Sequence, residues 1–442
     1  MPLPAQGCCQ PFEFSMPLTT ILYILMFVCA VGGAIFLTPF YGLLGYLATY
    51  HVNPVSHWWG EYVPSVISRY SLILGSVTLL GCILHLKKLK FIRLFDLQEW
   101  LILILVIFSW FSMVIGLNLF SGIDESIIKI TKIFIIVFIA SHLITDLKKY
   151  EIMVYVFIVT GLFLGVETYT APSYMFAQGR LEGGIGGSDL SNGNMLAAHF
   201  ALVLSFIGVM FLTKGWKTKL LCLVSAAFIV NGIILIRSRG SFLGLAVGAM
   251  AAFFFAKRVS RKKITIILLA GCIGAFSLVD TGFLERMKLI QADTETMDYS
   301  AKSRLDVWLA SFMMIEEYPF GVGVGNTKHL VGDYIPALAG LDTHNTYLRC
   351  LTDMGYHGLF TLLFLIGNSF RNLSLCSKMA LSLRDGEKYQ WHIFALKVAT
   401  ISCLVILTFV SATYTEEFYW LMMFPIFIKR AIENEMIQLR AA

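Results

Sequence analysis

The sequence is a succession of apolar blocks, each about 17 to 23 residues long, separated by short polar stretches. A block of about 20 apolar residues is the length of helix that crosses the roughly 30 Å hydrocarbon core of a bilayer. Only 14% of the residues are charged and 57% are hydrophobic, which leaves too little charge to cover the surface of a soluble domain of this size. We therefore predict an all-α polytopic membrane protein.

Twelve transmembrane helices are predicted in a single helical membrane domain, residues 1–442. The predicted spans are residues 18–38, 69–86, 99–118, 126–145, 151–169, 195–213, 219–236, 241–256, 264–279, 356–375, 392–412 and 416–430. The first span follows 16 residues without Lys or Arg and is interpreted as a retained helix, not a signal peptide. Residues 39–54 are too short to cross alone, so they are re-entrant, interfacial or part of an extra span.

Positive charge is distributed unevenly between the two sets of loops. Twenty of the 34 Lys and Arg residues fall on one side of the predicted spans, which the positive-inside rule assigns to the cytoplasm. The long loop at residues 280–355 then faces the periplasm. The net charge of +6 is explained by these cytoplasmic loops, so no nucleic-acid partner is expected.

The long loop has the pattern of a helix followed by a glycine-rich turn. Ser303 and Asp306 resemble a capping box that starts the helix, and Pro319 ends it. Backbone N–H groups of the turn at residues 321–326 could approach an anion closely. Arg304 would project from the start of this helix towards a ligand. The alternative is an amphipathic helix lying on the bilayer, with Arg304 in contact with lipid phosphate.

His344 is a candidate general base in the second half of the loop. If Asp342 or Thr343 caps a helix, His344 lies in its first turn, where the helix dipole disfavours the imidazolium. A neutral imidazole can accept a proton at pH 7. A pair with Asp342 would instead raise the pKa of His344, and the sequence leaves open which effect is larger. A surface histidine that only packs or caps is the alternative.

Two arginines, Arg237 and Arg239, lie between two predicted spans on the side that is poor in positive charge. Each guanidinium can bind a phosphate through two hydrogen bonds, and their crowding is unfavourable without an anion. The alternative is that both extend to lipid headgroups.

Further cations on the same side are candidate contacts for a diphosphate. Arg180 lies in a glycine-rich loop, residues 179–187, which is equally well explained as a flexible lid or a plain loop. Lys129 and Lys132 are three residues apart on one helix face, and could contact a lipid-linked diphosphate or extend to the headgroups.

The loops predicted to face outward contain no metal-binding motif and no dinucleotide-binding motif. The nine cysteines are scattered without zinc-ligand spacing. We therefore expect no metal and no cofactor, which disfavours an enzyme that uses nucleotide sugars and Mg²⁺. A lipid-linked diphosphate, which carries its own energy, is the expected donor.

Taken together, these motifs resemble the bacterial O-antigen ligase and O-antigen polymerase superfamily. The matching residues are Ser238, Arg239, Gly240, Arg304, Trp308, Pro319, residues 321–326, His344, Asn345, Leu348 and Gly355, with Arg180 and Asn194 as an earlier element. Residues 39–42 and 53–58 resemble the subgroup associated with exosortase systems, whose members are called O-glycosylation ligases.

The resemblance implies an inverting, metal-independent transfer on the periplasmic face of the inner membrane. A glycan would pass from undecaprenyl diphosphate to a hydroxyl of lipid A-core, of a growing glycan or of a protein. His344 would act as the base, and Arg304 and Arg239 would hold the leaving diphosphate. Asp342, Asn326 and Asn345 are expected to support the site. A polymerase with the same donor, a lipid-oligosaccharide transporter and a non-catalytic scaffold are the alternatives.

Overall fold

The computed structural model describes residues 16–67, 69–88, 94–117, 124–177, 179–187, 189–256, 259–279 and 299–441. In this part of the chain the helices are α1 (Leu18–Phe36), α2 (Pro39–His51), α3 (Tyr70–Leu84), α4 (Leu97–Ile115), α5 (Glu125–Leu143), α6 (Leu147–Tyr169), α7 (Gly193–Thr213), α8 (Trp216–Ile236), α9 (Arg239–Phe255), α10 (Arg261–Leu278), α11 (Tyr299–Glu317), α12 (Thr327–Tyr334), α13 (Thr346–Met379), α14 (Gly386–Ile406) and α15 (Glu416–Ala441). Two short strands, β1 (Phe176–Ala177) and β2 (Arg180–Leu181), form a small antiparallel hairpin before α7.

The prediction of an all-α polytopic membrane protein is confirmed. Eight of the described helices are long and apolar enough to cross a membrane, and α3 and α9 are shorter apolar helices. The two other predicted spans are also helical, as α10 and α15. Charged residues reduce the apolar character of both: α10 begins with three basic residues, and α15 begins with two glutamates.

Residues 39–54 form the short helix α2 and a 3-10 turn. A tight turn after α1 brings α2 back along it, so that Gly33 packs on Tyr41 and Gly42 packs on Ala34. Added Cβ atoms at these glycines would lie 2.8 and 2.9 Å from the partner Cβ atoms, so the small residues permit the close helix contact. The segment is therefore a buried helix between α1 and α3.

The loop between α10 and α13 contains the two helices α11 and α12, with residues 280–298 outside the described part. Val307, Ala310 and Met314 of α11 pack against Leu330 and Val331 of α12 in a small hydrophobic core. A second cluster, in which Ile315 of α11 packs with Leu348 of α13, fixes α11 to the start of α13.

The predicted start of the loop helix is wrong, and its predicted end is confirmed. The helix is already formed at Tyr299, so Ser303 lies inside α11 and does not cap it. Its last residue is Glu317, two residues before Pro319, as expected because a proline cannot continue the hydrogen-bond ladder.

Candidate functional site

A polar cavity of about 190 Å³ lies where the end of α8, the start of α7, α11 and the segment before α13 meet. Its lining residues come from four separate stretches of the chain: Arg180, Leu181, Glu182, Asn192, Gly193, Asn194, Ile236, Ser303, Arg304, Val307, Leu341, Asp342 and His344. The structure therefore brings together Arg180, Arg304 and His344, which are 124 and 40 residues apart in the sequence.

Arg304 lies in α11, and the neighbouring turn of this helix fixes it against the segment that carries His344. Trp308, one turn after Arg304, donates its indole N–H to the carbonyl of Thr343 over 2.9 Å. The positive charge of Arg304 acts directly on the His344 imidazole. This hydrogen bond thus holds α11 against the segment that carries His344, and it involves neither the Arg304 nor the His344 side chain.

His344 does not lie in the first turn of a helix, contrary to the prediction. The N-cap of α13 is Asn345, whose side-chain oxygen accepts hydrogen bonds from the N–H groups of Tyr347 and Leu348 at 2.9 and 3.1 Å. His344 precedes this cap with a φ of 45°, a left-handed conformation that is uncommon for residues other than glycine. Asn345 therefore fixes the start of α13 directly after His344.

The pKa of His344 is lowered from 6.5. Burial of the imidazole is the largest cause, and the nearby charge of Arg304 acts in the same direction. Asp342 opposes both effects, because its negative charge raises the pKa of His344. The imidazole is consequently neutral at pH 7 and able to accept a proton, although the cause is burial and not the helix dipole.

Asp342 pairs mainly with Arg349, a partner that was not predicted from the sequence. Arg349 contacts Asp342 over 2.7 Å and Asp353 over 2.6 Å. Asp353 is fully buried and also accepts hydrogen bonds from Thr327 and Tyr414 at 2.6 and 3.0 Å. Burial is the largest single effect and raises the pKa of Asp342. The charge and hydrogen bond of Arg349, the charge of His344 and the N–H of Thr343 together exceed it, so the pKa is lowered. The i,i+4 spacing of Arg349 and Asp353 was the signal available in the sequence.

Arg237 and Arg239 lie at the junction of α8 and α9, beside the cavity but outside its lining. Arg237 ends α8 in a left-handed conformation with a φ of 49°, and Ser238 caps α9 with its hydroxyl. The guanidinium of Arg237 lies so close to Gly179 that an added Cβ there would be 2.9 Å from Nη1. Arg237 thus packs on the hairpin that carries Arg180.

The remaining predicted cations have different surroundings. Arg180 lines the cavity and pairs with Glu182 over 2.6 Å. Lys129 forms an ion pair with the buried carboxylate of Asp189, and Lys132 is exposed. Neither lysine lines the cavity.

The glycine-rich turn does not offer its N–H groups to an anion, so that prediction is wrong. The N–H groups of Val322 and Gly323 donate to the carbonyls of Thr352 and Asp353 in α13, at 2.8 and 3.1 Å. Asn326 donates its side-chain amide to the carbonyls of Leu117 and Val322. The turn therefore fastens the loop to α13, and Asn326 supports that contact.

One cluster with metal-ligand chemistry occurs among the described residues, away from the cavity. His51, His199 and Glu417 are buried, and one possible ligand atom of each lies within 4.8 Å of the others. None of them lines the cavity.

Comparison with protein families gives one match. The family model described as O-Antigen ligase matches residues 224–363, which run from α8 into the first half of α13. The matched region contains Arg237, Arg239, Arg304 and His344, whereas Arg180 precedes it. None of the curated proteins matches the chain.

Proposed function

We propose that this chain, whose residues 224–363 match the family model described as O-Antigen ligase, is a member of that superfamily and transfers a glycan from undecaprenyl diphosphate to an acceptor hydroxyl. The observation that carries the proposal is one cavity lined by His344, Arg304 and Arg180, in which the pKa of His344 is lowered. A base beside two guanidinium groups suits a reaction that removes a proton from an acceptor and releases a diphosphate.

In the proposed reaction His344 accepts the proton of the acceptor hydroxyl as its oxygen attacks the anomeric carbon of the glycan. The bond from that carbon to the diphosphate oxygen breaks, and the configuration inverts. Arg304 stabilises the negative charge that develops on the leaving diphosphate. These groups need no metal ion at the cavity, because the positive charge of the arginines takes that role.

Arg180 would bind the same diphosphate. In the structure it is paired with Glu182, and both side chains line the cavity. A diphosphate carries more charge than a carboxylate and suits guanidinium geometry at least as well. We therefore infer that the donor replaces Glu182 as the partner of Arg180.

Arg237 and Arg239 lie beside the cavity, where they would contact the outer part of the diphosphate or the first isoprene units. Lys129 and Lys132 lie in α5 and do not line the cavity. Their proposed role is attraction of the anionic lipid at the mouth of the site.

The proposed location is the bacterial inner membrane, with the cavity on the periplasmic face. The support is the accumulation of Lys and Arg on the opposite loops. The proposed acceptor is a hydroxyl of lipid A-core or, if the likeness of residues 39–58 to the exosortase-associated subgroup holds, of a protein.

The proposal is tested with purified protein in liposomes that contain the lipid-linked glycan and candidate acceptors. His344→Ala should lower the transfer rate by about 100-fold or more, and Arg304→Ala should lower it by a similar factor. His329→Ala is the matched control, because His329 is an exposed residue of the neighbouring helix α12 outside the cavity lining. Transfer at the normal rate by His344→Ala would refute the assigned role.

The product of the same assay separates two activities. A ligase transfers the glycan to lipid A-core or to a protein hydroxyl, whereas a polymerase lengthens the glycan on undecaprenyl diphosphate. Identification of the group at the reducing end of the product therefore tests the ligase assignment directly.

A further inference from the structure

Three helices that are far apart in the sequence converge on one buried carboxylate. Glu417, at the start of α15, lies 2.8 Å from Nδ1 of His199 in α7 and 3.4 Å from Nε2 of His51 at the end of α2. The two imidazole rings are 4.6 Å apart, centre to centre. The side chains of both histidines have no exposed surface, and that of Glu417 is 6% exposed.

Further buried carboxyl groups lie beside this cluster. Glu416 and Asp189 are also buried and are connected, because the backbone N–H of Glu416 donates to Asp189 over 2.9 Å. Lys129 pairs with Asp189. Glu417 thus has two further buried carboxyl groups and one ammonium group in its surroundings. Buried charge of one sign is unfavourable unless a proton or a cation compensates it.

We propose that His51, His199 and Glu417 bind a divalent metal ion, of which zinc suits the ligand set best. Two imidazole nitrogens and one carboxylate are ligands that zinc takes in proteins. Ligand atoms around a tetrahedral zinc ion lie roughly 3.3 Å apart. Nδ1 of His199 lies 2.8 Å from one carboxylate oxygen of Glu417, and Nε2 of His51 lies 3.4 Å from the other. One possible ligand atom of each residue lies within 4.8 Å of the others, so small rotations of the rings and of the carboxylate would bring the three ligands to that spacing.

The role of this ion would be structural. Its ligands belong to α2, α7 and α15, and none of them lines the cavity. An ion here would add a link between three helices, of which α2 and α15 are also joined by hydrogen bonds from Tyr46 to Glu416 and from the Glu417 N–H to Tyr50, and would compensate the charge of Glu417. It takes no part in the transfer reaction, so this proposal does not depend on the proposed function.

The alternative is a cluster without a metal, in which each histidine donates an N–H to Glu417. The two possibilities differ in metal content. The full-length protein is purified in detergent, stripped with a chelator, incubated with zinc and desalted, and zinc is measured by mass spectrometry. We expect about one zinc ion per wild-type chain and at least a fivefold lower content in His199→Gln and Glu417→Gln.

His392→Gln is the matched control. His392 is equally buried and lies 3.3 Å from Glu151, but this pair is not part of a three-residue cluster. The control should retain its zinc. Zinc should also raise the melting temperature of the stripped wild-type protein by several degrees and leave that of Glu417→Gln unchanged.

Two results would overturn the proposal. One is a folded wild-type protein, shown by a cooperative melting transition, that retains less than about a tenth of a zinc ion per chain. The other is a loss of zinc from His392→Gln as large as the loss from the cluster variants. Because the first result concerns the wild-type protein, the test remains decisive even if a variant fails to fold.

Discussion

At the scale of single residues, three effects decide the charge state of His344. Burial of the ring and the positive charge of Arg304 both disfavour the imidazolium, whereas Asp342 favours it. Asp342 has limited influence because Arg349 also binds its carboxylate over 2.7 Å. Arg349 thus neutralises part of the charge of Asp342, which would otherwise keep His344 protonated up to a higher pH.

The lowered pKa of His344 predicts the pH dependence of transfer. Only the neutral imidazole accepts a proton, so the rate should rise with pH through a midpoint below 6.5 and level off near neutrality. Arg304→Gln should move the midpoint upwards, since it removes a positive charge, and Arg304→Lys should move it less. Initial rates measured from about pH 4.5 to 8 test this; a wild-type midpoint at or above 6.5 would contradict it.

The buried ion pairs of Arg349 predict a large loss of stability when this residue is replaced. Arg349→Met leaves the fully buried Asp353 without its cation, which should cost about 3–5 kcal/mol. The comparison is Lys388→Met, since Lys388 and Asp385 form an exposed pair whose loss should cost less than about 1 kcal/mol.

Unfolding midpoints in detergent provide the measurement for this pair of variants. Adding Asp353→Asn to Arg349→Met should restore part of the loss, because an amide is less unfavourable than an unpaired carboxylate when buried. Equal midpoints for Arg349→Met and Lys388→Met would show that the buried network does not stabilise the fold.

At the scale of helices and turns, the decisive feature is the interruption of α13 at Gly355. This residue has a φ of 70° and a ψ of −170° inside a 34-residue helix. The kink lets the N–H of Tyr356 donate to the carbonyl of Pro319 over 3.1 Å and brings Gly321 against the same backbone. The loop that carries Arg304 is thereby attached to the helix that begins after His344.

Replacement of Gly355 by alanine should therefore disturb the fold and the site together. An added Cβ would lie 2.5 Å from the carbonyl oxygen of Pro319, in a conformation that alanine also disfavours. We expect a loss of more than about 2 kcal/mol. Gly367→Ala is the control in the same helix, because an added Cβ there meets open space. It should be neutral or stabilising by up to about 1 kcal/mol; equal unfolding midpoints would contradict the packing argument.

The sequence predicted the elements that depend on local chemistry and missed those that depend on distant contacts. Helix lengths and the stop before Pro319 follow from hydrophobicity and from the missing N–H of proline. The predicted cap at Ser303 failed because the helix begins earlier. The prediction that the glycine-rich turn binds an anion failed because its N–H groups donate to carbonyls of α13. Spacing in the sequence does not reveal this contact.

The candidate site shows the same division. Arg180, Arg304 and His344 were identified because polar residues in loops between apolar spans need an explanation, and the structure places them around one cavity. The partner of Lys129 was missed, since Asp189 is 60 residues away. Arg349 was missed because it lies in an apolar helical stretch, where its two carboxylate partners are visible only after folding.

At the scale of the whole molecule, the cavity and the basic loops lie at opposite ends of the bundle. The segment with Arg180 follows the end of α6, whereas Lys148 and Lys149 lie in its first turn. Likewise His344 precedes the start of α13, and Lys378 lies in its last turn. A membrane around these helices would separate the two ends, and the positive-inside rule supports the proposal that the cavity faces the periplasm.

This orientation predicts which positions a membrane-impermeant maleimide can reach. In a variant with all nine cysteines replaced, single cysteines are introduced at Tyr174, near the cavity, and at Leu381, beyond the end of α13. Both native side chains are well exposed, at 81% and 67%, so access depends on the side of the membrane and not on burial. In spheroplasts, Tyr174→Cys should be labelled and Leu381→Cys should not, whereas after permeabilisation both should react. Labelling of Leu381→Cys alone in intact spheroplasts would place the cavity in the cytoplasm, where a periplasmic acceptor could not reach His344.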